Sequence, residues 1–427
     1  MLFIYQFLTI FLLPIYIIII LVRTVLGKED TKRFLEKFSI TNEKSFNKDK
    51  IVLWFHGASI GEIRSVFPVI NKILKENKKI NIVVTSVTLS SGGIIQREYR
   101  NNKRLRHQFI PFDNIFFVKR FLNKWKPNLV SLIDSEIWPN FITEIKKRNI
   151  PLTLINARIT NKTYKRWKIV PSFAKKVFSS FDLSIASSED SFKNLKKLKV
   201  NNIKFYGNLK FIAHEEKNKK LKVQTINFLK VKRVWCAAST HPTEEIICIK
   251  SHLEIKKKYK NVLTLIVPRH IDRVKKIFQI CKKFNLNTEI LGSKNKINKD
   301  TEILLINSFG LLNQFYKYSN SVFMGKSLIK ELRLVGGQNP IEATRHGCRI
   351  YHGPYVYNFL EIYKYLKFYG VTKEIKDSKN LSKEIIRNFK NPKKTHKNII
   401  KKINQNGKNI LNIVSIRIKE LLKNEII

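Results

Sequence analysis

The stretch Ile51-Val52-Leu53-Trp54-Phe55-His56-Gly57-Ala58-Ser59-Ile60-Gly61-Glu62 ("IVLWFHGASIGE") decides the fold. Ile51–Phe55 is a continuous apolar run with no polar alternation. A strand of that kind is buried on both faces, which points to a parallel sheet covered by helices. The run ends in small residues and then offers one carboxylate, Glu62, at the start of an amphipathic stretch, 62–76. Strand, small-residue turn and helix make the first half of a βαβ unit.

The same pattern recurs downstream. Apolar runs at 82–87, 129–133, 152–155 and 183–186 alternate with helix-length stretches such as 140–148. A charged interval without strand signal covers 213–233, and the alternation restarts at 234–238, 262–267, 303–306, 322–324 and 349–351. The expected class is α/β, with two Rossmann-like αβα domains, one over residues 23–212 and one over 213–427 that ends in Lys-rich helices. A length of 427 residues agrees with two domains. Ligands of open parallel sheets bind beyond the carboxyl ends of the strands, so two such domains are expected to face a cleft.

Lys and Arg number 82 against 32 Asp and Glu, a net charge of +50 spread along the whole chain. That excess is either a solvated basic surface or an attraction to polyanions, nucleic acid or anionic membrane. Nucleic-acid readers offer a compact basic patch with stacking aromatics or a reading motif; here the cations are diffuse, so no nucleic-acid partner is expected. The four cysteines, Cys236, Cys248, Cys281 and Cys348, have no CxxC spacing and read as reduced, buried thiols. Histidines are scattered without HExxH, and no DxD occurs, so no metal or other cofactor is expected.

Residues 1–22 read as a transmembrane anchor. Leu2–Val22 is almost wholly apolar, interrupted by Gln6, Thr9 and Pro14, and is followed by Arg23, Lys28, Lys32 and Arg33. About 20 residues suffice to span a bilayer core, and the basic flank places the body on the cytoplasmic side of an inner membrane. A cleaved signal peptide is the rival reading, but the basic start and the small-residue cleavage site it needs are not evident.

The candidate site residues all stand at strand ends. Glu62, with Ser59 and Gly61, is either a general base or a helix-start carboxylate balancing the macrodipole. Asp134-Ser135-Glu136-Ile137-Trp138-Pro139 brings a second acid, Glu136, and Pro139 suits a first helical turn. Arg158, in Asn156-Ala157-Arg158, can bind a carboxylate or phosphate bidentately, or simply tie down a loop. Lys210, after Gly207, can neutralise developing negative charge. In the second half, Ser239-Thr240-His241 precede a helix that Ser239 or Thr240 can cap, and free N–H groups there suit a phosphate. Pro268-Arg269 adds a guanidinium. Gly336-Gly337-Gln338-Asn339-Pro340-Ile341-Glu342 combines a glycine turn, a helix start and a carboxylate able to hold a ribose diol. Together these describe a nucleotide held by one domain and acids carried by the other.

The set, in this order, resembles the 3-deoxy-D-manno-octulosonic acid (Kdo) transferases of lipopolysaccharide biosynthesis. The resemblance runs from the N-terminal segment to about Phe359 and rests on "HGASIGE", "SEIWPN", "NARIT", "GNLKF", "STHPTEE", "VPRH", "GGQNPIEA" and "HGPYVYNF". It implies a GT-B fold with an N-terminal transmembrane helix, and inverting transfer of Kdo from CMP-Kdo to the 6'-hydroxyl of lipid IV-A. By motif, Glu62 matches the proton acceptor, while Glu136 and Lys210 match positions of transition-state stabilisation. Pro268, Arg269, Phe309, Gly310, Leu311, Asn339, Pro340, Ile341 and Glu342 match the CMP-binding positions. The chain departs from the family at Leu311, where Glu is frequent, at Gln338, where His is usual, and at Lys326, where a second glycine is usual. Residues 329–335 also form a slightly longer loop. The nearest alternative is another GT-B transferase that uses a UDP-sugar on a lipid acceptor.

Overall fold

The computed structural model describes residues 1–47, 49–212, 220–292, 297–308, 310–390 and 397–426. Phe309, one of the expected nucleotide contacts, lies outside the described residues. The chain divides into two compact units, Met1–His214 with Asn406–Ile427, and Glu215–Gln405.

The first unit is built on seven parallel strands, β1 (Ile51–His56), β2 (Ile80–Ser86), β3 (Leu105–Phe109), β4 (Leu129–Ile133), β5 (Leu152–Ala157), β6 (Leu183–Ala186) and β7 (Ile203–Phe205). Their order is β3-β2-β1-β4-β5-β6-β7. The order reverses between β1 and β4, which pair through Leu53–Leu129 to His56–Leu132. Such a switch point leaves a crevice beyond the strand ends, because the connections leave toward opposite sides. The sheet's buried side chains give the reason for the continuous apolar run. Trp54 is fully buried, with its ring 4.7 Å from Phe121 and 5.2 Å from Phe141. Its indole N–H is satisfied by Thr85 Oγ1 at 2.8 Å, as a buried indole requires.

The second unit repeats the scheme with β8 (Arg233–Thr240), β9 (Val262–Pro268), β10 (Thr288–Ile290), β11 (Ile303–Leu305), β12 (Ser321–Met324), β13 (Arg349–His352) and β14 (Thr372–Glu374). The order is β10-β11-β9-β8-β12-β13-β14, again all parallel. Its switch point lies between β8 and β12.

Two expectations are corrected. The C-terminal stretch does not belong wholly to the second domain: residues Asn406–Ile427, the later part of the helix Lys397–Ile426, group with the first unit. The packing shows why. Gly407 lies so close to Phe211 that a Cβ would stand 2.5 Å from its carbonyl oxygen, and Gly207 stands equally tight against Ile410. Ile410, Val414 and Ile418 are buried there. The N-terminal segment, in turn, is not one spanning helix. It forms two helices, Leu2–Phe11 and Leu13–Val25, bent by 51°. Pro14 sits in the first turn of the second helix, and having no N–H it cannot donate to the carbonyl four residues earlier. No single helix among the described residues is long and apolar enough to cross a membrane.

Candidate active site

In the first unit the site grows from the β1–β4 switch point. Ser59 caps the helix Ile60–Glu76, accepting the Glu62 N–H. Glu62 reaches back: its carboxylate accepts the Ala58 N–H at 2.7 Å and the Ser59 hydroxyl at 2.8 Å. This is a capping box one residue wider than usual. Glu62 is therefore a helix-start carboxylate as well as a candidate base, and the two readings coexist. Gly57 makes room for it, since a Cβ there would sit 3.1 Å from Glu62 Cβ and 3.2 Å from Ile133, while a Cβ at Gly61 would meet only Ser59 Oγ, at 4.0 Å. Burial pushes the Glu62 carboxyl up to about 7, with the neighbouring carboxylates of Asp134 and Glu136 adding to the shift and the hydrogen bonds from Ser59 and Ala58 opposing it.

Glu136 behaves oppositely. Burial raises it, but His56 and Trp138 outweigh burial and hold it below the usual carboxylate range. His56 Nε2 lies 3.1 Å from Glu136 Oε2, and Trp138 Nε1 donates to the same oxygen at 2.9 Å. His56 is fully buried at the end of β1, and its Nδ1 lies 2.9 Å from Thr85 Oγ1. Nδ1 also lies 3.3 Å from the Thr85 carbonyl, so the ring bridges Thr85 on one side and Glu136 on the other. One chain of hydrogen bonds thus runs from the core indole to the strand-end carboxylate.

Lys210 joins the same group. Its Nζ lies 3.4 Å from Asp134 Oδ2, with both side chains largely buried. Asp134 holds a left-handed backbone (φ 61°), and its Oδ1 is buried without a hydrogen-bond partner among the described residues. The turn carrying Lys210 is fixed by Asn208, which accepts the Lys210 N–H at 2.9 Å, and by Asn156, which accepts the Leu209 N–H at 3.0 Å. Arg158 is half-buried and donates its backbone N–H to the Asp134 carbonyl. The structure therefore brings Ser59, Glu62, Glu136, Lys210 and Arg158 around Asp134. Sequence reasoning missed His56, Trp138 and Asp134 as functional side chains. The available signal was a histidine and an aspartate at the last position of apolar runs, where a buried polar group needs a reason.

In the second unit the expected residues also converge on strand ends. Arg269 N–H donates to the Thr240 carbonyl at 3.0 Å, joining the ends of β8 and β9. Thr240 is fully buried and its Oγ1 has no partner among the described residues. Neither Ser239 nor Thr240 caps the following helix, which corrects that expectation: Glu244–Lys258 starts at Thr243, with no side-chain cap. Glu244 does the organising instead. Its fully buried carboxylate accepts the N–H groups of His241, Lys326, Ser327 and Leu328 at 2.9, 2.8, 2.9 and 3.1 Å. Burial lowers His241 to about 4, with Lys326, His270 and Arg269 nearby, so its ring is neutral.

Lys326 keeps φ at 59°, the conformation glycine adopts freely, which accounts for the glycine usual in relatives. The departure preserves the backbone and adds a cation near Arg269. Its carbonyl accepts the Gly337 N–H at 2.7 Å. A Cβ on Gly336 would lie 2.3 Å from the Tyr355 carbonyl, so the glycine turn is packed backbone to backbone. Asn339 Oδ1 accepts the Ile341 N–H at 3.1 Å and starts the short helix Ile341–Arg345, with Pro340 buried and Glu342 half-buried. Gly310 and Leu311 precede the helix Leu312–Tyr316, and Leu311 is buried. Glu342 bears electrostatically on Tyr316 of that helix. The second unit thus sets the cations of Arg269 and Lys326 near each other at its strand ends.

A family model described as 3-Deoxy-D-manno-octulosonic-acid transferase (kdotransferase) matches residues 32–213. The chain is 33% identical over 352 residues to the 3-deoxy-D-manno-octulosonic acid transferase of Rickettsia bellii, which covers 82% of each chain. It is 29% identical over 295 residues to that of Haemophilus influenzae, covering 68% of this chain and 67% of the relative. Among solved structures, a UDP-N-acetylglucosamine 2-epimerase matches with a TM-score of 0.56 at 14% identity, over 88% of this chain and 96% of that one. The glycotransferase of kitacinnamycin matches with a TM-score of 0.53 at 8% identity, over 88% and 100%. At those identities the solved structures speak for the fold alone, two parallel-sheet α/β units like those of GT-B glycosyltransferases. The ordered motifs, the fold and the relatives agree: this chain belongs to the 3-deoxy-D-manno-octulosonic acid transferase family of glycosyltransferases.

Proposed function

We propose that the chain transfers Kdo from CMP-Kdo to the 6'-hydroxyl of lipid IV-A, with inversion, at the cytoplasmic face of the inner membrane. The observation that carries the mechanism is the opposite tuning of two neighbouring carboxylates. Glu62 is raised to about 7 and Glu136 is held low. Paired acids whose environments push them apart mark an acid/base assignment. A group near 7 is ionised often enough to accept a proton and basic enough to take it usefully. Glu62 removes the acceptor hydroxyl proton while that oxygen attacks the anomeric carbon of Kdo. The bond from the anomeric carbon to the phosphate oxygen breaks, and its electron pair leaves with CMP. The proton passes from Glu62 to solvent.

Lys210, held beside Asp134, supplies positive charge against the negative charge of the donor's carboxylate, and Glu136 stays anionic throughout. CMP is a good leaving group, and the Arg269 and Lys326 cations take up its charge. The small residues around Glu62 admit a bulky glycolipid sugar.

The test is transfer by the purified chain, with product masses read after incubation with CMP-Kdo and lipid IV-A. A product one Kdo heavier, or several, supports the assignment and counts the units. A folded chain that gives none, and that UDP rather than CMP protects against heating, turns the reading toward a UDP-sugar transferase.

A further inference from the structure

The N-terminal helices carry an inverted amphipathic pattern. Along both of them the inward positions are Leu2, Tyr5, Gln6, Thr9, Leu13, Tyr16, Ile20 and Thr24, the buried or half-buried residues of the segment. Their spacing of three and four traces one continuous stripe across the bend. That stripe carries most of the segment's hydroxyl and amide groups. The remaining positions are nearly all large and apolar and face outward, with Phe3 82%, Phe7 61%, Phe11 69% and Ile18 60% exposed.

The inward stripe is fastened to the first unit along its length. Tyr5 Oη donates to Asp113 Oδ2 at 2.9 Å. Asn114 Nδ2 donates to the Thr9 carbonyl at 3.1 Å, and Asn140 Nδ2 to Thr9 Oγ1 at 3.4 Å. The Tyr16 ring stacks on Phe112 at 4.1 Å. Asp113 is itself structural, because it accepts the N–H groups of Asn140 and Phe141 and so caps the helix Pro139–Lys147 that follows Glu136.

These contacts conflict with a bilayer span. Tyr5 and Tyr16 are separated by about 16 Å of helix, roughly half of a hydrocarbon core about 30 Å thick. Yet their partners are neighbours in sequence, Asp113 and Phe112. A straight span would carry Tyr5 into the far half of the bilayer, and Asp113 would have to follow it or lose it. A carboxylate at that depth is strongly disfavoured.

We infer that the N-terminal segment is an interfacial anchor, a bent helix pair docked on the first unit by its polar stripe and buried in one leaflet of an anionic bilayer by its apolar face, rather than a transmembrane helix. This rests on the membrane reading given above and specifies how that membrane is held. Charge complementarity commits the surface to lipid. Arg23, Lys28 and Lys32 are exposed at the end of the pair. The helix Asn161–Lys168, which has no buried residue, exposes Lys162, Lys165, Arg166 and Lys168 and is followed by exposed Ile169. It neighbours the pair through aromatic contacts, Trp167 to Phe173 at 6.0 Å and Phe173 to Tyr5 at 6.1 Å. An apolar face rimmed by cations is the composition of an in-plane membrane helix.

The experiment places a nitroxide at single cysteines introduced for Phe3, Phe7, Phe11, Ile15, Ile18 and Val22 in the full chain. The four native cysteines are all buried and take no label in folded protein. The chain is reconstituted in phosphatidylethanolamine and phosphatidylglycerol vesicles, and depth is read from collision with oxygen against a water-soluble nickel chelate. The inference expects all six labels at shallow depth in one leaflet. A depth that rises to the mid-plane near Leu12 and falls again beyond it overturns the inference and leaves membrane attachment standing. A chain that does not float with the vesicles overturns both. As a second readout, Tyr5→Phe should raise the mobility of a label at Phe3, because the docked arrangement loses its hydroxyl fastening; unchanged mobility counts against docking. Transfer assayed with detergent-dispersed acceptor reports on the catalytic assignment independently of either result.

Discussion

Glu62 combines two duties, and both can be measured. As a base it must be ionised, so the rate of transfer should rise with pH along a limb centred near 7. Glu62→Gln keeps the shape and should cost on the order of 100- to 10,000-fold in kcat. Stability runs the other way. The folded carboxyl binds its proton up to about 7 while the unfolded one releases it near 4.5, so the native state holds more protons across that window and stability falls as pH rises through it. The melting temperature of wild type should therefore drop relative to Glu62→Gln between about pH 5 and pH 8. His56 acts through Glu136. A hydrogen bond to a charged group contributes about 1.5–3 kcal/mol; if that is spent at the transition state, His56→Phe lowers kcat roughly 10- to 100-fold with the donor KM little changed. A fall in donor affinity with unchanged kcat would place His56 in donor binding instead. Glu62 and Glu136 were legible in the sequence because each follows an apolar run, and Lys210 because it follows a glycine turn. His56 and Asp134 were not, because their importance lies in partners brought from other strands, Thr85 and Lys210 among them.

At the scale of elements, the apolar runs at 51–55, 129–133 and 183–186 read as strands and are strands. The four strands that the sequence did not announce, β3, β7, β10 and β14, are the four sheet edges. An edge strand has one neighbour and need not be apolar on both faces; β3 accordingly reads Leu-Arg-His-Gln-Phe. Packing at such an edge can be tested in the helix Leu89–Tyr99. A Cβ at Gly92 would meet His107 and Phe109 of β3 at 2.9 Å, whereas one at Gly93 meets nothing within 4 Å. Gly93→Ala should stabilise by about 0.5–1 kcal/mol through helix propensity. Gly92→Ala should destabilise by about 1–3 kcal/mol through overpacking. Urea unfolding of the two variants checks the pair, and equal effects would contradict the placement of this helix on β3. The return of the C-terminal helix to the first unit was equally illegible, since Gly407 and Gly207 declare their close approaches only once the chain is folded.

For the molecule as a whole, a net charge of +50 and the docked apolar pair predict two separable components of membrane binding. Basic residues near an anionic surface contribute about 1 kcal/mol each, and salt screens them as the Debye length shrinks from about 10 Å at 0.1 M to about 3 Å at 1 M. Vesicle binding should weaken steeply over that range and level off at the apolar contribution, as sedimentation with phosphatidylglycerol vesicles would show. Binding that does not change with salt would assign attachment to the helix pair alone. The composition made the basic charge plain, but the apolar stretch read as one helix, because hydropathy does not report the 51° bend between Leu2–Phe11 and Leu13–Val25. The claim at the centre of this account is that the chain moves Kdo and that Glu62 takes the acceptor's proton. Single-turnover transfer from CMP-Kdo to lipid IV-A by wild type and by folded Glu62→Gln, each followed across pH, tests it most directly. The account predicts wild-type product with a limb near 7 and a variant slowed on the order of 100-fold or more that has lost that limb. Equal rates and the same limb in both proteins would contradict it.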